Sequence, residues 1–124
     1  MKQVISTPNA PAALGTYSQA IKANGMLFAS GQLGINPATG ELPEDFVGQA
    51  TQSLKNVAAI LEEAGTSFDN VVKVTVFMSD MANFAALNEV YAKFFAAPYP
   101  ARSAVAVKTL PKNALVEIEV IAAL

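Results

Sequence analysis

The chain contains no cysteine and no histidine among its 124 residues, and only 15% of those residues are charged. Without cysteine it can form no disulfide, and it gives no sign of an oxidising compartment. Without histidine and cysteine it can have no Ser-His or Cys-His nucleophile system. Any acid–base chemistry must therefore use Glu, Asp, Tyr, Lys or water. A metal site would need oxygen ligands alone, and no Asp-rich loop of the EF-hand type is present. We therefore expect no metal.

The chain also lacks a strong excess of either charge, since its formal net charge is −2 and its eight basic residues are scattered. There is no basic stripe that could neutralise a phosphate backbone, which argues against a nucleic-acid partner. No stretch approaches the roughly 20 apolar residues of a membrane helix. The N-terminus lacks the apolar core of a signal peptide. We therefore expect a cytoplasmic protein with no membrane partner.

Apolar residues, by contrast, make up 52% of the chain. A chain of this length can bury one core without disulfides or metals, so residues 1–124 are expected to form a single domain. Globular proteins usually have a charged fraction of about 25%. The shortfall indicates buried subunit interface, and hence a homo-oligomer. The alternative is an unusually apolar monomer.

Apolar periodicity and turn signals predict the element order β-β-β-α-β-α-β-β. The predicted strands cover 2–6, 18–23, 26–31, 71–78, 102–109 and 115–124, and the predicted helices cover 45–64 and 81–97. Asn24-Gly25 predicts a hairpin turn, Gly65 a helix C-cap and Asp80 the N-cap of the second helix. With hairpins expected at both ends of the chain, this order predicts an α+β fold. Its six-stranded mixed sheet would carry both helices on one face.

Arg102 is the first candidate for a binding group. It begins a predicted strand whose same face carries Ala104 and Ala106, two small residues that leave space as a pocket floor would. A guanidinium is always charged and clamps a carboxylate through two parallel hydrogen bonds. Pattern alone leaves open the alternative of an arginine in a surface salt bridge.

Glu117 and Glu119 share one face of the last predicted strand. The other face is wholly apolar and is expected to pack against the helices; it carries Val116, Ile118, Val120 and Ala122. A glutamate that is partly desolvated in a subunit interface would have a raised pKa, which suits proton transfer. The alternative is a pair of glutamates on a solvated sheet face.

Four further residues are candidates for the site, each with a structural alternative. Tyr17, in a loop, would hydrogen-bond a ligand or seal an edge of the core. Ser30 and Gly31 end the third strand, where glycine allows a ligand to approach the backbone or simply permits a turn. Asn88 is a polar cap on the pocket or a surface residue. The aromatic residues of the second helix are interpreted as core: Phe84, Tyr91, Phe94 and Phe95.

A series of segments along the chain resembles one known family. The most specific is Pro100-Ala101-Arg102-Ser103-Ala104-Val105, followed by Leu110-Pro111 and Val116-Glu117-Ile118-Glu119. The others are 10–20 (APAALGTYSQA), 29–32 (ASGQ), 36–40 (NPATG), 52–57 (QSLKNV), 72–78 (VKVTVFM) and 88–91 (NEVY). In this order they resemble the RidA family, also called YjgF or L-PSP.

The resemblance implies a chorismate-mutase-like homotrimer with three clefts between subunits. In the family such clefts hydrolyse 2-imino acids, such as 2-iminobutanoate and 2-iminopropanoate, to 2-keto acids and ammonia without a cofactor. The family arginine that grips the substrate carboxylate falls on Arg102, and the glutamate that positions water falls on Glu117. The site tyrosine falls on Tyr17, and the backbone around Ser30 and Gly31 lines the cleft.

Two positions depart from the family pattern. Thr16 stands where proline usually precedes the tyrosine, and Ala104 stands where many members have cysteine. The family uses the second position largely through its backbone, so we expect a changed pocket shape rather than lost chemistry. The main hypothesis is a deaminase that removes reactive imine and enamine metabolites. The alternatives are a non-catalytic regulator that binds a small carboxylate, an endoribonuclease or translation inhibitor, and a holdase chaperone. The weak basic charge disfavours the endoribonuclease.

Overall fold

The computed structural model describes residues 1–124. Its strands are β1 (Gln3–Ile5), β2 (Ala20–Ala23), β3 (Met26–Ala29), β4 (Gln32–Leu33), β5 (Val71–Met78), β6 (Ala101–Ala106) and β7 (Val116–Ala123). Its α-helices are α1 (Phe46–Glu63) and α2 (Phe84–Tyr91), and short 3-10 turns cover Phe68–Asn70, Met81–Asn83 and Pro111–Asn113. Neither helix has the length and apolar character that crossing a membrane requires.

The strands form one mixed sheet in the order β1-β2-β3-β7-β5-β6, with β4 also paired to β7. Only β5 and β6 are parallel, and every other pair is antiparallel. The predicted mixed sheet carrying two helices is therefore confirmed. The hairpin predicted at the C-terminus is wrong, because β5 lies between β6 and β7. The chain from β5 through α2 to β6 makes a β-α-β crossover, which places β6 beside β5 in parallel.

Most element boundaries differ from the prediction by one to three residues; the strand predicted at 102–109, for example, covers Ala101–Ala106. Two differences are larger or change the elements themselves. The predicted strand 26–31 ends at Ala29, and the chain resumes as the two-residue strand β4, which is too short to show a periodicity and brings the strand count to seven. The second helix covers Phe84–Tyr91 rather than 81–97. Asp80 caps the preceding 3-10 turn, since its Oδ1 accepts a hydrogen bond of 2.8 Å from the Ala82 N–H. After Tyr91 the chain makes one turn and leaves the helix before the two prolines.

Two turns follow the sequence prediction closely. Asn24 and Gly25 both have positive φ, 51° and 73°, as a two-residue hairpin turn of type I′ requires. Gly65 ends α1 in the left-handed region at φ 81°. Its N–H donates to the Glu62 carbonyl, and the Thr66 N–H donates to the Leu61 carbonyl, which satisfies two free carbonyls of the last turn.

The hydrophobic core lies between the helices and one face of the sheet. The β7 residues predicted to face the helices, Val116, Ile118, Val120 and Ala122, are all at most 2% exposed. The other face of the sheet has no helix over it. Phe28 and Val105 on that face are each 45% exposed, so a protomer presents large apolar side chains to its surroundings.

Candidate active site

The sheet separates Arg102 from Glu117. Arg102 pairs in register with Val74 of β5, and Glu117 pairs with Phe77 of the same strand. Val74 is fully buried against the helices. Because side chains alternate along a strand, positions 74 and 77 point to opposite faces. Arg102 therefore lies on the helix side of the sheet and Glu117 on the uncovered side.

Four of the residues predicted for the site meet in one cavity of about 610 Å³, namely Tyr17, Ser30, Gly31 and Glu117. The cavity is also lined by Leu33, Ile35, Asn36, Pro37, Gly40 and Lys112. No group of three or more His, Cys, Asp or Glu side chains is placed to hold a metal ion. The cavity thus combines one carboxyl, one phenol and one ammonium group with apolar walls.

The Glu117 side chain lies directly against Gly31. A Cβ atom at position 31 would come within 2.7 Å of Glu117 Oε1 and 2.8 Å of its Cδ, so any larger residue would displace the carboxyl group from this position. Burial raises the pKa of Glu117, and the charge of Glu119 raises it further. This is the direction that its strand position predicts. A carboxyl whose pKa is raised toward neutrality is a better proton acceptor and donor at working pH.

Gln19 holds one wall of this cavity in place. Its buried side chain accepts a 2.7 Å hydrogen bond from the Thr7 N–H through Oε1. Its Nε2 donates to the carbonyls of Thr7, Ala10 and Pro11 at 3.1, 3.3 and 2.8 Å. A buried amide with all these partners fixes the backbone of the loop before Tyr17. Tyr17 itself stays 54% exposed, at the mouth of the cavity.

Helix α1 fixes the wall on the other side. Ser53 Oγ donates to the Gln32 carbonyl at 2.7 Å, and Asn56 Nδ2 donates to the Leu33 and Ile35 carbonyls at 3.0 and 2.9 Å. Ser53 and Asn56 are both fully buried. Sequence reasoning missed these two residues. The available signal was a pair of polar side chains, three positions apart, on the face of the helix that carries Leu54 and Val57.

Arg102 lies in a second cavity of about 470 Å³, which also contains the predicted residue Asn88, together with Tyr91, Tyr99 and Pro100. Arg102 Nη1 donates a 2.9 Å hydrogen bond to Asn88 Oδ1. A guanidinium carries five N–H donors in a rigid fork, so this contact leaves donors for a carboxylate. The second cavity therefore supplies a guanidinium fork for a carboxylate, which the first cavity lacks.

Ala104 lies on the same side of β6 as Arg102, where it is half-buried and packs against the core. It lines neither of the two cavities in one protomer. Its contact with a substrate stays a prediction.

Phe84 and Tyr91, interpreted as core from the sequence, both face the arginine. The Arg102 Cζ atom lies 4.7 Å from the centroid of the Tyr91 ring and 5.5 Å from that of Phe84. Tyr91 is buried, as the interpretation required, but one face of its ring is in contact with a cation. The signal that could have found it is the spacing of Phe84, Asn88 and Tyr91, which puts all three on one side of a helix.

Comparison with known proteins identifies the family. Residues 7–124 match the family described as endoribonuclease L-PSP. The chain belongs to this family. It is the RidA family that the sequence resembles, and the resemblance is confirmed.

Several relatives are similar to this RidA-family protein over nearly their whole length. The 2-iminobutanoate/2-iminopropanoate deaminase of Escherichia coli K12 is 49% identical over 98% of both chains. A Rid-family protein of unknown function from Yersinia pestis has a structure of TM-score 0.98 and 53% identity, with both chains fully covered. The structure of Escherichia coli TdcF with bound serine has a TM-score of 0.95 and 46% identity over 98% of each chain.

Proposed function

We propose that this RidA-family protein hydrolyses reactive 2-imino acids to 2-keto acids and ammonia, in clefts shared between neighbouring subunits of a cytoplasmic homotrimer. The observation that carries the proposal is the division of the site residues between two cavities on opposite faces of one sheet. A site that uses both Arg102 and Glu117 needs the second cavity of one subunit and the first cavity of its neighbour. The similarity to a named 2-imino acid deaminase supports the reaction class.

The surface of one protomer supports the assembly. Phe28, Val72 and Val105 are each 45% exposed, and Leu14 at the first cavity is 86% exposed. Strand β6, which carries Arg102, is at the edge of the sheet and has one side free for a neighbour. Large exposed apolar side chains together with an open strand edge are typical of an oligomer interface. A second subunit would cover them and complete the cleft.

The chemistry begins with substrate orientation. Arg102 holds the carboxylate of the 2-imino acid through parallel N–H donors and directs the adjacent C=N carbon toward one water molecule. Arg102 holds the substrate but moves no proton, because a guanidinium is always charged. That step falls to Glu117, whose carboxyl is partly buried beside Gly31. Tyr17 supplies a hydroxyl at the mouth of the cleft.

The reaction then proceeds in two balanced stages. Water attacks the C=N carbon while Glu117 accepts one of its protons and the imine nitrogen takes up a proton from solvent, which gives a tetrahedral amino alcohol. Glu117 returns its proton to that nitrogen, the C–N bond breaks and ammonia leaves, and the hydroxyl releases its proton to solvent to become the keto group. Water and the imine are the only reactants. General acid–base catalysis of this kind contributes about 10²- to 10⁴-fold.

The test is to generate the imine with threonine dehydratase and to follow its loss by trapping with semicarbazide. The wild-type protein should accelerate hydrolysis, and Arg102→Ala should lose most of that acceleration. Arg102→Lys, which keeps the charge but not the fork, should retain only part of it. Equal acceleration by the wild type and Arg102→Ala would contradict the proposal.

One observation favours a second candidate, a regulatory protein. Such a protein would bind a small carboxylate without converting it and would regulate a partner. TdcF, which is similar to this chain in fold and sequence, binds the amino acid serine in its crystal structure. An inactive wild type that binds 2-oxobutanoate, with binding abolished by Arg102→Ala, would favour this candidate over the deaminase.

A further inference from the structure

Three side chains of α2 surround the Arg102 guanidinium. Asn88 Oδ1 accepts its Nη1 hydrogen bond at 2.9 Å, and the rings of Tyr91 and Phe84 lie 4.7 and 5.5 Å from its Cζ atom. Phe84, Asn88 and Tyr91 are spaced by four and three residues, so one face of the helix presents all three. The arginine is thus in contact with two aromatic rings and with an amide that orients its plane.

The Tyr91 ring is held from behind by further aromatic rings. It stacks on Phe95, with 4.2 Å between ring centroids and 19° between ring planes. Phe95 in turn meets the edge of Phe68 at 4.9 Å and 77°, and Phe68 also contacts Phe94 at 5.6 Å. Phe68 belongs to the 3-10 turn that leads into β5. This row of rings packs behind Tyr91 and connects the arginine to the core.

The Tyr91 hydroxyl takes no part in this arrangement. It is buried and has no hydrogen-bond partner, and the residue as a whole is 6% exposed. A buried hydroxyl without a partner is unfavourable, so it does not explain what Tyr91 contributes. What remains is the face of the ring, whose negative electrostatic potential attracts the cation stacked on it.

We propose that Tyr91 is a positioning residue for Arg102, and that Phe84 and Asn88 assist it. The ring face holds the guanidinium in one orientation before the ligand arrives, with its unused N–H donors turned to the cavity. An arginine side chain otherwise loses considerable rotamer freedom when it clamps a carboxylate. The inference rests on the proposed function only for the nature of the ligand, a small 2-keto or 2-imino carboxylate.

The first test is the affinity for 2-oxobutanoate, measured by calorimetry. Tyr91→Leu, which removes the ring, should raise Kd by about three- to fivefold, as expected for one cation–π contact. Tyr91→Phe should bind like the wild type, because the hydroxyl bonds nothing. In the imine assay KM should rise for Tyr91→Leu while kcat stays nearly constant, since the carboxylate is not the reacting group. Phe46→Leu, a buried ring away from the arginine, is the matched control.

The second test uses the fact that Arg102 is the only arginine of the chain. Its Nε–H group therefore gives one arginine side-chain resonance in a ¹⁵N-labelled protein, and the ring currents of Tyr91 should shift that resonance. We expect the shift to be lost in Tyr91→Leu and kept in Tyr91→Phe and Phe46→Leu. Phe84→Leu should reduce the shift of the Arg102 resonance. Because Phe84 is only half-buried, this variant repeats the test if Tyr91→Leu fails to fold.

The two tests separate this inference from the proposed function. A wild type that does not bind 2-oxobutanoate contradicts the proposed ligand, yet the resonance of Arg102 still reports whether Tyr91 positions it. A wild type that binds, with Kd and the Arg102 resonance both unchanged in Tyr91→Leu, overturns the positioning role. Loss of affinity in Tyr91→Phe as well would also overturn it, because the hydroxyl and not the ring would then be responsible.

Discussion

Glu117 and Glu119 lie two residues apart on the same face of β7, and the charge of Glu119 adds to burial in raising the pKa of Glu117. Both side chains are half-buried on the side of the sheet that no helix covers. The second glutamate therefore acts on the proposed proton carrier through space, without reaching the cavity that contains it. Its removal offers a way to change the pKa of Glu117 without altering the site itself.

Glu119→Gln should lower the pKa of Glu117 toward its ordinary value. In the proposed mechanism the ionised form of Glu117 accepts the proton of water, so activity falls as pH drops through this pKa. The acid limb of the pH–rate profile for imine hydrolysis should therefore move to lower pH in Glu119→Gln. Activity at neutral pH should change little. A profile that does not move, in a variant with normal stability, would mean that Glu117 is not the group that limits the rate in acid.

Glu117→Gln should lose activity and gain stability at neutral pH. A carboxyl with a raised folded pKa binds more protons in the native state than in the unfolded state, so its ionisation destabilises the fold as pH rises through that window. The neutral amide removes this effect. Urea unfolding across pH should show that the wild type loses stability, relative to Glu117→Gln, between the ordinary pKa of a glutamate and the raised one. Equal pH dependence of the two proteins would contradict the expectation.

Gly31→Ala should slow catalysis by displacing Glu117. The new Cβ atom would lie within 3 Å of three Glu117 side-chain atoms, and the flexible carboxyl end can shift to make room. The fold should therefore survive, while a displacement of about 1 Å costs roughly 10²-fold in rate. The check is a double-mutant cycle in the imine assay. In a Glu117→Ala background the substitution at Gly31 should have almost no further effect, whereas additive effects would show that Gly31 acts independently of Glu117.

Some of the fold could be predicted from local signals, because each of these depends on a few neighbouring residues. Asn24-Gly25 can form a type I′ turn wherever it occurs between two strands. Gly65 ends α1 because glycine readily adopts the left-handed backbone conformation that ends a helix. The prediction of a C-terminal hairpin was wrong because the apolar periodicity of a strand does not say which other strand pairs with it. The predicted length of α2 was wrong because Phe94 and Phe95 continue the apolar spacing of a helix. In the structure Phe95 lies beyond the end of the helix, where it contacts Phe68.

The candidate site was partly predictable for the same reason. Alternation along β6 and β7 already put Arg102 beside Ala104 and put Glu117 opposite the apolar face of its strand. What alternation could not give is the position of β5 between these two strands, which fixes the two groups on opposite sides of the sheet. The contacts of Tyr91 and Asn56 were also out of reach, since a buried ring or amide on a helix has many possible partners until the packing is known.

The shared cleft can be tested by mixing two inactive variants. Arg102→Ala lacks the anchor and Glu117→Gln lacks the proton carrier, so each homo-oligomer should be inactive. If a cleft takes Arg102 from one subunit and Glu117 from the next, random reassembly of equal amounts should restore about a quarter of the clefts in a cyclic oligomer. The measurement is imine hydrolysis after joint denaturation and refolding, with each variant refolded alone as the control.

A site contained within one subunit predicts a different result, because every subunit in the mixture carries one of the two defects. No reassembly could then restore a complete site, and the mixture would stay inactive. Light scattering of the same samples should give the mass of three chains, since a monomer could not form the cleft at all. Recovered activity in particles of that mass would establish that the two faces of the sheet, which Arg102 and Glu117 occupy separately in one chain, meet between chains.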